Sequence, residues 1–329
     1  MKITTSYHRS FDILCFLHSI TEDELSASEL KGEYDKFYPL LSDEIKSEAK
    51  QLAAKPERLL FWPLVNLLIS SLANHDKRDL VQMLRSHDEI RNGIAQSPYF
   101  KGESQKDLTL HFKSFEDIII PFLKELEDIG FTKYWDETVK PILEQRCITL
   151  NRYLENFNIA SEVNKLMPFN DLDINMWVCA FARPYGAKLC GYNMIGDYTW
   201  PDETILSTIT HEMFHPPYDH DTVSDAVNTL GAMPWVVCAY ENQTPGSEYK
   251  PMSGFIEENV VEALGIYILS KMIHDYDAHK YFKEHDGGSH VISPHLYDYL
   301  HSNPKNGGQS LDAYFIGFVD MLLSKENEV

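Results

Sequence analysis

The sequence predicts an α+β chain, predominantly helical, with one small antiparallel sheet. Three observations predict it. Apolar residues recur at helical spacing through most of the first 165 residues. From Asp173 to Met194 strand formers take over around a Pro-Gly turn signal. Helical patterns then resume, punctuated by prolines. At 329 residues the chain exceeds a typical single-domain core, which leaves two domains or one elaborate domain open; a mainly helical region, 1–165, followed by a second domain, 166–329, is expected.

The elements follow in order. Ile3 to Tyr7 reads as a brief strand and Phe11 to Leu17 as a short helix. Ser42-Asp43-Glu44 opens an amphipathic helix towards Ala54, Pro56 interrupts it, and Leu59 to Leu72 is apolar enough for a buried helix. Asp79 to Leu84 continues the pattern, and Asn92 to Gln105, with Gly93, Pro98 and Gly102, reads as a loop. Leu108 to Phe131 is a helical run that Pro121 starts or kinks, and Trp135 to Phe157 is another. The texture changes at Pro168 to Asp171. Asp173 to Ala182 is then a strand apolar on both faces, Arg183-Pro184-Tyr185-Gly186 a turn, and Ala187 to Met194 the returning strand, broken by Gly196-Asp197.

Trp200 to His215 reads as one helix, with Pro201 in its first turn and Thr199-x-x-Asp202 spaced as a capping box. Pro216-Pro217 stops it at once, which puts His215 on the last turn. Residues 218–253 read as irregular. A helix runs from Phe255 through Leu269, a Gly/His-rich loop spans Asp286 to His290, and helices begin at Ser293 and Leu311.

Composition narrows the function. Hydrophobic residues are 43% and charged residues 24%, as in an ordinary globular protein. The net charge of −21 would repel a phosphate backbone, which argues against nucleic-acid partners. No run approaches the roughly 20 apolar residues of a membrane span, and the amino terminus has no apolar signal core, so a cytoplasmic location is expected. Cys15, Cys147, Cys179, Cys190 and Cys238 form no C-x-x-C pair, and free thiols in a reducing compartment are expected. Cys179 and Cys190, flanking the hairpin, are the one pair placed to form a disulfide.

The chemistry concentrates in His211-Glu212-Met213-Phe214-His215. Residues at i and i+4 share a helix face, so both imidazoles can bind one metal ion, with Glu212 beside them to take a proton from water. A catalytic zinc usually takes three protein ligands and leaves one position open. The third ligand has two possible sources. Asp221 occupies the last position of an H-E-x-x-H-x-x-G-x-x-H pattern, but Tyr218 stands where the glycine turn is needed. Alternatively, a carboxylate comes from the later helix, where Glu257 and Glu258 compete. Glu258 has Glu262 one turn on, placed to hold the far nitrogen of a histidine ligand. A solvated acidic face is the plain alternative. However, Phe255, Ile256, Val260, Val261, Leu264, Ile266 and Ile268 leave little of that helix for water.

His211-Glu212-x-x-His215 with Glu258-Asn259-Val260-Val261-Glu262 resembles the gluzincin branch of zinc metallopeptidases, the thermolysin-like group. It is also similar to uncharacterised bacterial metallopeptidases whose ligand helix reads E-x-x-V-x-A-L. The resemblance covers about 80 residues, from the hairpin through Leu269. Two departures are the stop after His215 and Glu262 where aspartate is usual. The resemblance implies a zincin-like catalytic domain and Zn²⁺ held by His211, His215 and Glu258, with Glu262 behind them. It further implies peptide-bond hydrolysis by zinc-activated water with Glu212 as general base, on a peptide or protein substrate bound along the strand Ala187 to Met194. A transition-state donor is expected downstream, with His290 foremost and His295, Tyr297 and His301 as others. The alternatives are a zinc hydrolase of a non-peptide amide or ester, and a non-catalytic interaction protein with a vestigial metal site.

Overall fold

The computed structural model describes residues 2–20, 28–53, 61–72, 77–95, 104–167, 173–183, 186–244, 249–305 and 307–326. The expected breaks at Pro56 and at 168–171, the apolar pair Leu59-Leu60, and much of the expected loop at 92–105 lie outside them, as do Pro184 and Tyr185 of the turn. The chain forms two compact units, one made of Ile3–Leu154 with Asp173–Asp202 and the other of Glu155–Leu172 with Glu203–Val329. The strand segment therefore groups with the first-half helices, and the H-E-x-x-H segment groups with the C-terminal helices. A single cut between 165 and 166 does not describe this division.

The first unit is helical around a four-stranded sheet. Its strands β1 (Lys2–Ser6), β2 (Asp173–Cys179), β3 (Ala187–Lys188) and β4 (Asn193–Asp197) lie in the order β1-β2-β4-β3. β2 runs parallel to β4, pairing Trp177 with Ile195, whereas β3 is antiparallel to β4, pairing Ala187 with Ile195. The sheet is thus mixed, which corrects the expected antiparallel hairpin: β2 and β3 are not neighbours. Gly196 and Asp197 do not break the strand but pair with Val178 and Cys179. The physical reason is visible in β2, buried from Ile174 to Cys179 apart from the half-buried Asn175, as befits a central strand with a parallel neighbour. Gly196 is needed for close packing, because a Cβ there would meet Met176 Sδ at 2.9 Å and the Trp200 ring at 3.3 Å. The expected returning strand shrinks to two edge residues, Ala187 and Lys188.

All five cysteines are free. The Cys179–Cys190 pairing fails because parallel pairing aligns Cys179 with the end of β4, while Cys190 precedes its start. Cys179 is instead buried beside Cys15, and desolvation pushes both thiols up. Asp12, on the helix Arg9–Ser19, ties this core together. It accepts hydrogen bonds from Trp135 Nε1 at 2.6 Å and from the Phe181 amide at 2.9 Å.

Two prolines act alike here. Phe115-Glu116-Asp117-Ile118-Ile119-Ile120-Pro121 and Trp135-Asp136-Glu137-Thr138-Val139-Lys140-Pro141 share one pattern of aromatic, two acids, aliphatic and proline. Each forms a π turn (Phe115–Ile119, Trp135–Val139) in an otherwise continuous helical run. The amides of Ile120 and Lys140 bond five residues back, and the next residue, proline, has no N–H to give. Pro121 thus stands in the first turn of the helix Ile120–Asp128, where the run resumes α spacing after the π turn.

The second unit is all helical among the described residues. Its centre is the 21-residue helix Met252–Met272, buried along nearly its whole length, as a helix apolar on every side must be. Within the stretch expected to be irregular stand two helices, Ser224–Gly231 and Pro234–Glu241. Their signal was present in Val223, Ala226, Val227 and Leu230, at helical spacing, and in Pro234 at a first turn. A further helix, Ala278–Glu284, starts at Asp277, whose carboxylate caps the Lys280 amide at 3.0 Å. Ser293–Ser302 and Leu311–Glu326 complete the unit. No helix of the described residues is long and apolar enough to cross a membrane.

Candidate metal centre

The helix that carries the motif spans Asp202–Glu212, three residues shorter at its end than its sequence suggests. Its last turn tightens, with Phe214 N bonding His211 O at 3.0 Å and His215 N bonding Glu212 O at 3.4 Å. Pro216 and Pro217 then offer no amide to continue. The expected capping box does not form. Arg146 takes the Asp202 carboxylate at 2.5 Å, and the Thr199 amide bonds Asp197 at 2.8 Å.

His215 thus lies just past the helix, yet its ring turns back to His211, with the two Nε2 atoms 3.1 Å apart. Glu258 Oε2 completes a triangle, at 3.5 Å from His211 Nε2 and 3.7 Å from His215 Nε2. Points so spaced lie on a circle of radius about 2.0 Å, and zinc sits about 2.0–2.2 Å from nitrogen and oxygen donors. The three side chains, His211, His215 and Glu258, would hold such an ion. Among the described residues these three form the one group of histidine, cysteine and acidic side chains able to hold a metal.

The far side of each imidazole is also held. His211 Nδ1 is 2.5 Å from Glu262 Oε2, and His215 Nδ1 is 3.0 Å from Glu257 Oε1. A carboxylate at Nδ1 fixes the proton there and leaves Nε2 with its lone pair facing the triangle. Glu262 in turn accepts a hydrogen bond from Tyr281 and feels the charge of His290. Glu257, one of the two competitors for the ligand role, thus holds the His215 ring from behind. Its second oxygen lies 3.1 Å from His220 Nε2.

Electrostatics makes this a site for a cation. Carboxylates buried in an apolar helix cost several kcal/mol each unless compensated. Burial alone would raise the Glu262 pKa, but the hydrogen bond and charge of His211 bring it down to about 2. Burial likewise works against Glu258, and the two histidines hold it below the ordinary range. Desolvation opposes charge on His211, but Glu258, Glu262 and the field of Glu212 together raise its pKa well above the usual value. A field that retains a proton at His211 so strongly also favours a divalent cation among the same atoms. The residues present fit a metal ion.

The remaining candidates fall elsewhere. Asp221 is exposed and outside the triangle, and Tyr218 is buried without the left-handed backbone that its position in the longer motif would demand. His290 is only 2% exposed, stacked on His285, within electrostatic reach of Glu262. The Gly287-Gly288 turn beside it is closely packed. Both residues have positive φ, Ser289 and His290 are buried, and a Cβ on Gly287 would clash with Thr244 Oγ1. His295 packs edge-on to Trp235, burial lowering its pKa, and His301 pairs with Lys271 at the surface. Tyr297 lies among Tyr267, His279 and Phe282. Glu257 as an orienting group and His220 as its neighbour are the two contacts of the site that the sequence does not announce. The one local signal was the acid pair Glu257-Glu258 followed by Glu262.

Protein-family models, curated proteins and solved structures give no match to this chain. The function is therefore argued from the site itself.

Proposed function

We propose that the chain is a zinc-dependent hydrolase, a metallopeptidase that cleaves peptide bonds. The observation that carries this reading is the triangle of His211 Nε2, His215 Nε2 and Glu258 Oε2, with Glu212 adjoining it in the chain. Two imidazoles and one carboxylate are the donor set of catalytic zinc sites in which a fourth position stays open. A zinc ion held there supplies Lewis acidity, lowering the pKa of water and polarising a carbonyl.

The chain's own residues do the rest. Glu262 and Glu257 keep the Nδ1 protons of His211 and His215, so that both Nε2 atoms remain donors. Glu212, half-buried and within electrostatic reach of His211, accepts the proton of the attacking water and passes it to the leaving amine. A structural metal site would have no use for that carboxylate. The pairing of an H-E-x-x-H segment with a helix bearing Glu258 and Glu262 supports a zincin-like core of the gluzincin type, and a peptide or protein as substrate.

Metal analysis and a peptide library test this together. One zinc per chain is expected, with peptide hydrolysis that chelation removes. Glu212→Gln should retain the zinc and lose at least about 100-fold in turnover. Absence of stoichiometric zinc would remove the enzyme reading altogether. Turnover of esters alone would replace the peptidase by an esterase, and substantial turnover in Glu212→Gln would displace Glu212 as the base.

A further inference from the structure

The two histidines of the triangle are braced differently. Behind His211 the chain of contacts runs inward, through Glu262 to Tyr281 and the field of His290. Behind His215 it runs outward. His215 Nδ1 meets Glu257 Oε1 at 3.0 Å, and Glu257 Oε2 meets His220 Nε2 at 3.1 Å. Glu257 is 6% exposed, whereas the His220 side chain is 43% exposed. A single buried carboxylate is thus spanned by a metal-ligand histidine on one oxygen and a surface histidine on the other.

The surroundings of His220 are built to keep it there. Tyr218, buried and stacked on Phe315 at 4.9 Å, presents its ring to the His220 edge at 5.6 Å and 87°. The next amide, Asp219 N, bonds Asp312 Oδ1 at 3.0 Å, which ties the loop to the helix Leu311–Glu326. Asp219 Oδ1 accepts from both the amide and the hydroxyl of Thr222, at 2.9 and 2.8 Å. The short loop that leaves the motif therefore folds back, and its histidine returns to the helix that supplies the third ligand.

We infer that His220 is a positioning residue of the metal centre, holding Glu257 so that Glu257 can fix the ring of His215. The geometry assigns it this role because Glu257 has two oxygens and must direct one of them at His215 Nδ1. A donor on the other oxygen leaves the carboxylate one orientation instead of several. The inference rests on the metal reading above and adds to it a residue that touches neither the ion nor a ligand to it.

The test is zinc affinity of the full chain, measured by competition with a chelator, together with the visible spectrum of the cobalt-substituted protein. His220→Ala should weaken zinc binding about 3- to 10-fold, less than the roughly 10- to 100-fold typical when a group touching a ligand is removed. It should also alter the cobalt spectrum, while melting of the metal-free protein stays as in the wild type. His220→Gln, which keeps a donor for Glu257, should recover the wild-type affinity within about twofold. In a Glu257→Ala background, His220→Ala should cause no further loss, since its effect passes through that carboxylate. Unchanged affinity and spectrum in His220→Ala would overturn the inference, as would a further loss in the Glu257→Ala background. Failure of the metal reading itself would be seen separately, as a wild-type protein that binds no zinc.

Discussion

Gly265 offers the sharpest perturbation of the site that leaves every ligand in place. It lies three residues after Glu262 on the helix Met252–Met272, against the backbone of the motif helix. A Cβ there would sit 3.0 Å from His211 Cα, 3.1 Å from His211 N and 3.2 Å from the Thr210 carbonyl carbon. Carbon contacts are comfortable at about 3.5–4.0 Å, so Gly265→Ala must push the two backbones apart by a few tenths of an ångström. None of the three obstructing atoms is a side chain that can rotate away. Carried to the triangle, that shift lengthens the 3.5 and 3.7 Å edges to Glu258 and enlarges the circle through the donors towards about 2.2 Å, the upper limit for zinc. Overpacking of this kind costs about 1–3 kcal/mol, against the roughly 1 kcal/mol that alanine gains over glycine in a helix. The control is on the same helix: at Gly254 a Cβ would meet only Pro251 Cδ, at 3.8 Å. Gly254→Ala should stabilise the protein by about 0.5–1 kcal/mol and leave zinc affinity unchanged. Gly265→Ala should lower stability in urea and weaken zinc binding about 10-fold. Equal behaviour of the two variants would refute the argument that backbone contact at His211 sets the position of the carboxylates.

The other predictions concern the third ligand and the buried acid of the sheet unit. Glu258→Ala should abolish stoichiometric zinc while Asp221→Ala retains it, because Asp221 lies outside the triangle; retention of zinc in Glu258→Ala would reject that ligand. Desolvation raises Asp12 from 3.8 to about 7, even though Trp135 and the Phe181 and Ala180 amides favour its charged form. The folded state therefore holds a proton that the unfolded chain releases above its own lower pKa. That contribution is complete below about pH 4 and lost as pH rises through about 7, and at most it is on the order of 4 kcal/mol. The stability difference between wild type and Asp12→Asn, from urea unfolding at several pH values, should shift against the wild type between pH 4 and 7.5; a flat difference would show that Asp12 keeps its charge in the fold.

What could be read from sequence divides along the line between local and non-local structure. The H-E-x-x-H spacing is local, and so are proline stops and the apolar sweep of Met252–Met272, so these were legible. Strand partners are not. Nothing in Asp173–Cys179 says that its neighbour is Asn193–Asp197 running parallel, rather than the nearer Ala187, and the Pro-Gly signal between them favoured the simpler hairpin. The helices at Ser224–Gly231 and Pro234–Glu241 are short, and the Gly and Pro residues around them outweighed their apolar spacing.

The site itself shows why three glutamates on one helix could be recognised as related without their tasks being separable. At 100° per residue, Glu257 lies 100° to one side of Glu258 and Glu262 lies 40° to the other. Glu258, the proposed ligand, thus sits between the two glutamates that hold the histidine rings, in an order that spacing alone supplies. What spacing leaves open is direction. His211 pairs with Glu262 and His215 with Glu257, so the motif segment and the glutamate helix run antiparallel, four residues on one matching five on the other. With the opposite sense, Glu257 would stand behind His211 and the roles of the outer glutamates would exchange. The sense is set by non-local packing that spacing does not encode. His220, five residues past His215, likewise reaches Glu257 at 3.1 Å through a turn that no spacing in the sequence announces.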